Sequence, residues 1–483
     1  MSMIASMKNK KRCFIVIVAT ALIVLLIAGA AYADVTFYVN DAESVLPRLF
    51  EGVYAIGSGG TDLLNPDQVY TLSSKGLQKL ESPLSVADGN IYGLSPVNIS
   101  GNTIRVGLFY SFNNYRDSAL ESTVLENTSG SGFAFGTYED DGTFVEFAST
   151  EESRILVVPG EETEVRVYTA DGNHFISGLD WTDKTCYLGV RPTNFEDDPL
   201  TSCAGNRYYG SFDFAVLAGQ KLTVVNRVEI EHYVMGVCAS EMAEGWPLEA
   251  LKAQAVAART YAQRNIERSN YHYACGFDLT ADTYSQAYRG VRGVGDMVTA
   301  AVLATENQYL TFEKKLIDAV YSSSDGGATE DSENVFGYAS DYLLGVVDPY
   351  EAAVANENPY SSWTVTLTPE QLGSRVGLDA IRSVTPTTSS TGNVIKLEFV
   401  SVSGRTATVI RDSCRTMIGL YSIHYDISQD SAGNFVFIGG GNGHCLGMSQ
   451  WGANAMAKYF NFDYRSILDF YYTDVELCYG TLQ

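Results

Sequence analysis

Basic residues and histidine are scarce in this sequence. Its 483 residues carry 32 Lys and Arg against 57 Asp and Glu, with 5 His, for a formal net charge of −25. Such a chain is repelled by polyanionic nucleic acid, so we exclude a nucleic-acid partner. The acidity is typical of a soluble exported protein, but it identifies no partner.

Cysteine pairs with metal-binding spacing are also missing. The sequence has 8 Cys but no C-x-x-C pair, so no structural zinc module is indicated. Cys13 lies in the N-terminal segment, and the others are scattered: Cys186, Cys203, Cys238, Cys275, Cys414, Cys445 and Cys478. Their odd number leaves at least one thiol unpaired, and Cys186 and Cys203 are close enough in sequence for a local bridge.

Long apolar runs are absent except near the N-terminus. A basic stretch from Lys8 to Arg12 precedes the apolar run Phe14–Ala28, and Ala31–Ala33 has the A-x-A form of a cleavage site. Residues 1–33 are therefore predicted to be a secretory signal peptide, with an uncleaved anchor as the alternative. Either way the rest is translocated, to the cell envelope or outside the cell, and touches a membrane only if this segment is retained.

The remaining sequence predicts an α+β fold without internal repeats. Hydrophobic residues make up 46% of the chain, which excludes wholesale disorder, and the length suits more than one domain. Residues 34–102 form an extension of unknown role, with a strand at Val35–Val39 and a helix around Ser44–Phe50. The rest, 103–483, is predicted to be a second domain.

This second domain is predicted to be β-rich at first and mixed α/β from about residue 222. Alternating apolar residues predict the following strands: 103–110, 143–147, 154–158, 163–168, 363–367, 394–400 and 406–410. Pro247 at a first helical position and the run Ala253–Ala262 predict a helix from Trp246 to Arg264. Further helices are predicted at 297–306, 449–459 and 464–471.

The first candidate for chemistry is Glu241, which ends an apolar stretch just before the predicted Ala-rich helix. An apolar setting raises a carboxyl pKa and allows the group to donate a proton near neutral pH. Alternatively, Glu241 caps the helix or pairs with Arg259. Rival acids have simpler explanations: Glu229 and Glu231 alternate with apolar residues, as on the solvent face of a strand, and Glu249 suits a first helical turn.

Two glycine-rich segments are further candidates. Tyr321–Glu330 joins a strand to a polar loop that either presents N–H groups and hydroxyls to a ligand or is simply a turn. It lacks the GxSxG pattern of a serine hydrolase. Gly439–Ala453 places His444 beside Cys445, which disfavours a Cys/His nucleophile pair because adjacent residues rarely give that geometry. Two interpretations of His444 remain: it contacts a sugar or the candidate acid Glu241, or it has only a structural role.

Together these segments resemble the SpoIID/LytB family, named for stage II sporulation protein D and an amidase enhancer. The family's GVV-x-SEM and WP-x-EALKAQAVAARTYA motifs match Gly236–Met242 and Trp246–Ala262. Its Y-x-SSSGG-x-TE-x-SE loop matches Tyr321–Glu333 with Asp325 inserted. Its GHGVGMSQ-x-GA and IL-x-x-YY motifs match Gly443–Ala453 and Ile467–Tyr472.

The resemblance implies lytic transglycosylase activity on peptidoglycan strands stripped of stem peptides, in wall remodelling linked to sporulation. It places the catalytic acid/base on Glu241 and a functional arginine on Arg259, which would orient that carboxylate or bind the lactyl group of the substrate. The matching loops carry the expected substrate-binding residues: Ser323, Ser324, Gly326, Gly327, His444, Ser449 and Gln450. Such an enzyme needs one carboxyl group and no cofactor.

Two departures from the family pattern lead to further expectations. Some relatives bind zinc through His and Cys before a Q-x-Y-x-G motif, but Thr280, Tyr284 and Ser285 occupy those positions here. Only His272 and Cys275 remain as ligands, so we expect no zinc. Cys238 and Cys445 replace apolar or Gly residues in two motifs that should converge, and we hypothesise that they form a bridge.

Two other roles are compatible with these motifs. The chain would be a non-catalytic, peptidoglycan-binding enhancer of a partner cell-wall amidase, or a structural envelope protein that uses its Tyr-rich surface for assembly. In the structural role, replacement of Glu241 would have no effect.

Overall fold

The computed structural model describes residues 94–482 except for 113–115, 140, 175–186, 218–219 and 269–275, and also five earlier strands. The chain divides into two compact units. One comprises Met1–Asn98 and Leu477–Thr481, and the other Ile99–Glu476 and Leu482–Gln483. The predicted signal peptide and the zinc-ligand candidates His272 and Cys275 lie outside the described residues.

Strands dominate the described chain, in agreement with the predicted α+β class. In chain order they are β1 Val35–Val39, β2 Ala42–Leu46, β3 Gly52–Ala55, β4 Val69–Ser73, β5 Gly76–Lys79, β6 Ser95–Ile99, β7 Thr103–Phe109, β8 Ser111–Phe112, β9 Arg116–Asp117, β10 Thr123–Asn127, β11 Phe133–Tyr138, β12 Phe144–Thr150, β13 Arg154–Pro159, β14 Val165–Thr169, β15 Leu188–Pro192, β16 Thr201–Cys203, β17 Asn206–Tyr208, β18 Ser211–Val216, β19 Leu222–Glu229, β20 Leu279–Thr280, β21 Gln308–Phe312, β22 Lys315–Leu316, β23 Tyr321–Ser322, β24 Trp363–Leu367, β25 Ile381–Thr388, β26 Val394–Ser401, β27 Thr406–Ile410, β28 Tyr425–Gln429, β29 Phe435–Gly439, β30 Met448–Ser449 and β31 Glu476–Leu482. The strands predicted from alternation are confirmed to within a few residues.

Helices are confined to the second unit among the described residues. They are α1 Ile230–Glu241, α2 Leu248–Glu267, α3 Asp296–Leu303, α4 Ser332–Val335, α5 Pro369–Arg375, α6 Ser413–Thr416, α7 Gln450–Phe460 and α8 Tyr464–Tyr471, with 3₁₀ turns at Phe195–Asp197 and Glu351–Val354. The predicted helix around Ser44–Phe50 is wrong, because Ala42–Leu46 pairs with Val35–Val39 as a hairpin.

The β-rich part of the second unit contains two sheets. The larger has the order β12-β11-β15-β18-β19-β7-β20, antiparallel apart from the parallel β7–β20 pair, and the smaller has the order β14-β13-β10-β16-β17. All six residues of β18 are buried, so this strand lies inside the unit. Its neighbour β19 runs directly into α1, which carries the first candidate acid.

Helix α2 forms the centre of the motif-bearing region. Its alanines, including Ala253 and Ala257, are fully buried, and their small side chains let α1, α3, α7 and α8 pack closely around it. The helix is confirmed, but it begins at Leu248 with Pro247 as its N-cap and ends at Glu267, two and three residues later than the predicted bounds Trp246 and Arg264. α7 begins at the N-cap Ser449, whose hydroxyl accepts a hydrogen bond from Gly452 N.

Candidate functional site

Glu241 is the last residue of α1, not the residue before a helix as predicted from sequence. Its half-buried carboxylate is held on both oxygens. Oε1 accepts a hydrogen bond from Ala287 N at 2.9 Å, and Oε2 accepts one from Gln450 Nε2 at 3.1 Å. Gln450 Nε2 also lies 3.4 Å from Gln254 Oε1. The acid is therefore fixed between α1, α2, α7 and the segment around Ala287.

The surroundings of Glu241 favour its protonated form. Burial raises the pKa of this carboxyl above the ordinary glutamate value, and the bonds from Ala287 and Gln450 oppose that shift because they favour the ionised form. Burial dominates. A carboxyl with a raised pKa keeps its proton to higher pH and can donate it near neutrality.

The two glycine-rich segments form one structural unit beside Glu241. Strand β23 pairs in parallel with β30, and beyond them Asn442 N donates to Ser324 O at 2.7 Å while Ser324 N donates back at 3.0 Å. Gly326 lies so close to Gly440 that a side chain there would collide with the Gly440 backbone. The glycines thus allow two loops to pack together, and α7 leaves this unit carrying Gln450.

Beneath the acid lies a buried hydrogen-bond network that sequence reasoning did not identify. Tyr233 Oη donates to Gln286 Oε1 at 3.1 Å, and Gln286 Nε2 donates to Tyr321 Oη at 2.8 Å. Gln286 precedes Ala287, which binds Glu241. The sequence signal for this network is the Q-x-Y-x-G motif, which begins at Gln286.

Arg259 does not contact Glu241. It is fully buried, and its guanidinium pairs with Glu231, with Nε–Oε1 and Nη2–Oε2 distances of 2.8 and 2.6 Å. Nη2 also lies 3.3 Å from Val302 O at the end of α3. The hydrogen bonds of Arg259 thus go to Glu231 and backbone carbonyls and not to Glu241, and a contact with substrate stays a prediction. Arg259 instead joins α1, α2 and α3.

Glu231, the partner of Arg259, does not lie on the solvent face of a strand as predicted. The alternation of Val228 and Ile230 suggested one, but β19 ends at Glu229 and α1 begins at Ile230, so Glu231 lies in the first helical turn. Tertiary pairing with Arg259 overrides the local pattern. A further rival acid, Glu249, lies in the first turn of α2 as predicted and accepts a hydrogen bond from Lys252.

Two serines predicted to bind substrate are buried in hydrogen bonds to another acid. Ser324 Oγ donates to Oε1 of Glu351, and Ser449 Oγ donates to Oε2 at 2.8 Å. Both hydroxyls are therefore engaged in holding Glu351, and a role for these serines in substrate binding stays a prediction. Gln450 is also buried and reaches Glu241.

Three of the other predicted substrate-binding residues are partly exposed to solvent. Ser323, Gly326 and Gly327 are half-buried in the loop, and their role stays a prediction. The remaining one, His444, is held within its own segment: Nδ1 accepts from Leu446 N at 3.0 Å, and its ring packs on Phe336. Burial and nearby Arg415 lower the His444 pKa to about 4, so the ring is neutral at neutral pH.

The predicted disulfides are not formed. Cys238 and Cys445 are both free, buried thiols, and burial raises the pKa of Cys238 to about 12. Cys445 Sγ contacts Asp325 O at 3.7 Å. Cys203 is likewise a free thiol, so it does not bridge to Cys186, which lies outside the described residues.

At the positions where the family resemblance implies zinc ligands, hydroxyls bond to each other. Thr280 Oγ1 lies 3.2 Å from Ser285 Oγ and 2.9 Å from Asp282 Oδ1. Within the described residues, a different group of side chains is close enough to share an ion: oxygens of Asp325, Asp348 and Glu351 lie within 4.8 Å of one another.

Similarity to known proteins identifies the family. A family model described as "Stage II sporulation protein" matches residues 218–312, which include Glu241 and Arg259. The stage II sporulation protein D of Bacillus subtilis is 31% identical over 248 residues, covering 48% of this chain and 70% of that protein. This chain belongs to the SpoIID family.

Two other relatives extend this comparison. An uncharacterized protein of Brachyspira hyodysenteriae is 34% identical over 59% of this SpoIID-family chain and 75% of its own length. The amidase enhancer of Bacillus subtilis is 29% identical over 60% of the chain, which spans less than half (46%) of that relative. Family membership supports a cell-wall-related function. In the part of the SpoIID-family chain that the structure describes, no helix is long and apolar enough to cross a bilayer.

Proposed function

We propose that this SpoIID-family protein is an exported lytic transglycosylase that cleaves the bond between N-acetylmuramic acid and N-acetylglucosamine in glycan strands, preferably those stripped of stem peptides. The single observation that carries the proposal is the half-buried Glu241 carboxyl, whose pKa is raised and whose two oxygens are both held in place. Positioned acids of this kind transfer protons in catalysis.

One carboxyl group accounts for the whole reaction. Protonated Glu241 donates its proton to the glycosidic oxygen, and the bond from that oxygen to C1 of the muramic sugar breaks. The sugar's own 6-hydroxyl then bonds to C1 and gives its proton to the Glu241 carboxylate, which restores the acid and leaves a 1,6-anhydro end. No water is consumed, so no second carboxylate is required, unlike in ordinary glycosidases.

The hydrogen bonds of Glu241 support this use of one acid. Within the described residues, the hydrogen-bond partners of the Glu241 carboxyl are a backbone N–H and a side-chain amide, and neither is a carboxylate. Ala287 and Gln450 can still donate when the carboxyl is ionised, which stabilises the base form between the two proton transfers. The Tyr233–Gln286–Tyr321 network fixes the segment that carries Ala287.

Product analysis tests the proposal directly. Purified protein is incubated with stem-free glycan strands, and mass spectrometry is used to look for anhydro-muramic ends. We expect such ends from stem-free strands and fewer from strands that keep their peptides. Reducing ends in place of anhydro ends would mean hydrolysis and would contradict the proposed chemistry.

A second candidate function is the non-catalytic stimulation of a cell-wall amidase, which the similarity to an amidase enhancer favours. The same incubation distinguishes the two functions when a purified amidase and peptide-bearing peptidoglycan are included. Absence of anhydro ends together with faster amide cleavage would support the enhancer role.

Two tryptophans beside Glu241 are proposed to bind the glycan. Trp246 and Trp451 are both half-buried and pack together with ring centroids 4.7 Å apart; Trp451 directly follows Gln450. Partly exposed aromatic rings offer the apolar faces of sugars a large contact area at small entropic cost.

We expect Trp246→Ala to raise KM for glycan strands about tenfold, equivalent to about 1.4 kcal/mol of lost contact. The value of kcat should change much less, because the acid is retained. Phe147→Ala, which removes an exposed aromatic ring from β12, serves as the control and should leave KM unchanged. An equal effect of both substitutions would argue against a sugar site at the tryptophans.

The pH dependence should respond to Gln450. Its amide donates to Glu241 and lowers the pKa of that carboxyl. Because the general acid must be protonated, activity falls as pH rises through this pKa. Gln450→Met removes the donor, so the alkaline limb of the kcat/KM profile should shift to higher pH. Gln429→Met, at an exposed end of β28, should not move it.

The biological setting is a proposal as well. We place the protein in the cell envelope or outside the cell, secreted or anchored through residues 1–33, acting on the wall in a process linked to sporulation. In this proposal residues 103–483 are the family domain, about 222–480 are the catalytic region, and 34–102 are an extension of unknown role.

A further inference from the structure

Three acidic side chains meet inside the second unit, away from the hydrogen bonds of Glu241. Asp325, Asp348 and Glu351 are all buried, and one oxygen of each lies within 4.8 Å of the others. No ion pair within the part of the chain that the structure describes involves them. Buried carboxylates without a counter-charge are costly unless they are protonated or bind a cation.

Most of the carboxylate oxygens already accept hydrogen bonds. Glu351 accepts from Ser324, Asn358, Ser449 and the Asp325 N–H. For Asp348, Oδ1 accepts from two backbone N–H groups, and Oδ2 accepts from Tyr471 Oη at 2.7 Å. These neutral donors orient the carboxylates but add no positive charge.

One oxygen is left over, and this second observation points to a ligand. Asp325 Oδ1 accepts from Gly327 N at 2.8 Å, but Oδ2 of the same fully buried side chain has no hydrogen-bond partner among the described groups. Buried polar atoms in folded proteins nearly always have a partner. Burial and the neighbouring carboxylates of Glu351 and Asp348 raise the pKa of Asp325, so in the absence of a cation this carboxyl favours its protonated form and can donate a hydrogen bond to Glu351. A bound cation would take the place of that proton.

We infer that Asp325, Asp348 and Glu351 form a binding site for a hard divalent cation, with Ca²⁺ as the preferred ion. Oxygen-only ligands select Ca²⁺ or Mg²⁺ over softer metals. Ca²⁺ accepts several carboxylates in flexible geometry, whereas Mg²⁺ requires near-ideal octahedral geometry and usually keeps its waters beside one or two carboxylates. A buried group of three carboxylates within 4.8 Å of one another therefore favours Ca²⁺.

The site would join the segments that surround Glu241. Asp325 lies in the glycine-rich loop, and Glu351 begins the 3₁₀ turn that ends at Val354. Glu351 is also held by Ser449, the N-cap of α7, and the next residue is the Gln450 that bonds Glu241. A cation here would therefore stabilise the loop and the start of α7 without touching the reacting atoms.

Metal titration of the full chain tests the inference without reference to activity. Chelator-treated protein is titrated with CaCl₂ and, separately, MgCl₂ in a calorimeter and in a thermal melt. We expect one site per chain, tighter for Ca²⁺, and a melting temperature raised by roughly 3 °C at about a hundred times Kd. Heats equal to dilution, with unchanged melting for both ions, would overturn the site.

Two variants locate the binding. Asp325→Asn and Asp348→Asn should abolish the Ca²⁺ heat and the Ca²⁺-dependent melting shift. Asp341→Asn, which changes an exposed carboxylate nearby, should retain both. Retained binding in Asp325→Asn would place the ion elsewhere and refute the inference.

A measurement on the unmutated chain covers the case in which the variants fail to fold. Tb³⁺ binds calcium sites and emits when a nearby tyrosine is excited, and Tyr471 donates a hydrogen bond to Asp348. Sensitised Tb³⁺ emission that Ca²⁺ displaces would support the site. Absence of emission would count against it.

Discussion

Replacing Glu241 by Gln is expected to lower the formation of anhydro-muramic ends about 10²- to 10⁴-fold, the usual contribution of a positioned general acid. The amide cannot donate the proton that the leaving oxygen needs, and it cannot take up the proton of the 6-hydroxyl. The measurement is the initial rate on stem-free strands, followed by mass spectrometry of the products.

The control must show that charge removal alone is harmless. Glu229→Gln changes an exposed carboxylate at the end of β19, at the other end of α1 from Glu241, and should keep the wild-type rate. A Glu241→Gln protein that still cuts at the wild-type rate would exclude the proposed mechanism. Loss of cutting without loss of amidase stimulation would show that the two activities are separable.

The stability of the same variant provides an independent check. Because burial raises the folded-state pKa of Glu241, the wild-type protein loses stability as pH rises through that pKa, when the buried group ionises. Gln carries no charge at any pH. Glu241→Gln should therefore melt no lower than wild type above this pKa, so its inactivity could not be attributed to unfolding.

Replacing Arg259 by Ala is expected to lower the free energy of unfolding by about 3–5 kcal/mol, because Glu231 is left charged and buried without its partner. The guanidinium also bonds the carbonyls of Val302 and Gln308, which lose their donor in the variant. Urea denaturation measures the change.

Two comparisons separate this effect from simple loss of an ion pair. Lys458→Ala breaks an exposed pair with Glu357, in which both side chains remain largely in water, and should cost far less. Arg259→Met combined with Glu231→Leu removes both charges and should be less destabilising than Arg259→Ala alone. If Arg259→Ala lowers the free energy of unfolding as little as Lys458→Ala does, the buried Arg259–Glu231 pair does not stabilise the packing of the helices.

Arg259 also illustrates why a motif alone is an incomplete guide to a role. The resemblance to the family marked it as functional, and its place in the AARTYA helix is correct. Its contacts make it a positioning residue: it fixes the start of α1, and Glu241 is the end of that helix. We therefore expect any effect of Arg259 on activity to follow stability.

Local patterns predicted the elements well. The strands Trp363–Leu367 and Thr406–Ile410 and the helix Tyr464–Tyr471 have the predicted bounds, because alternation and helical spacing depend only on neighbouring residues. The sequence analysis predicts no helix at Ile230–Glu241, because the alternation of Val228 and Ile230 with glutamates fits a strand equally well over so short a distance.

The α+β class, the Ala-rich helix and the family motifs that contain Glu241 could all be predicted from the amino-acid sequence. The contacts of those residues could not be, because they depend on how distant segments pack. Gln450 lies 209 positions from Glu241, Arg259 lies 28 positions from Glu231, and Asp325 lies 26 positions from Glu351. Local propensity carries no information about such pairs. They are selected when buried charges and polar groups must find partners inside the same folded core.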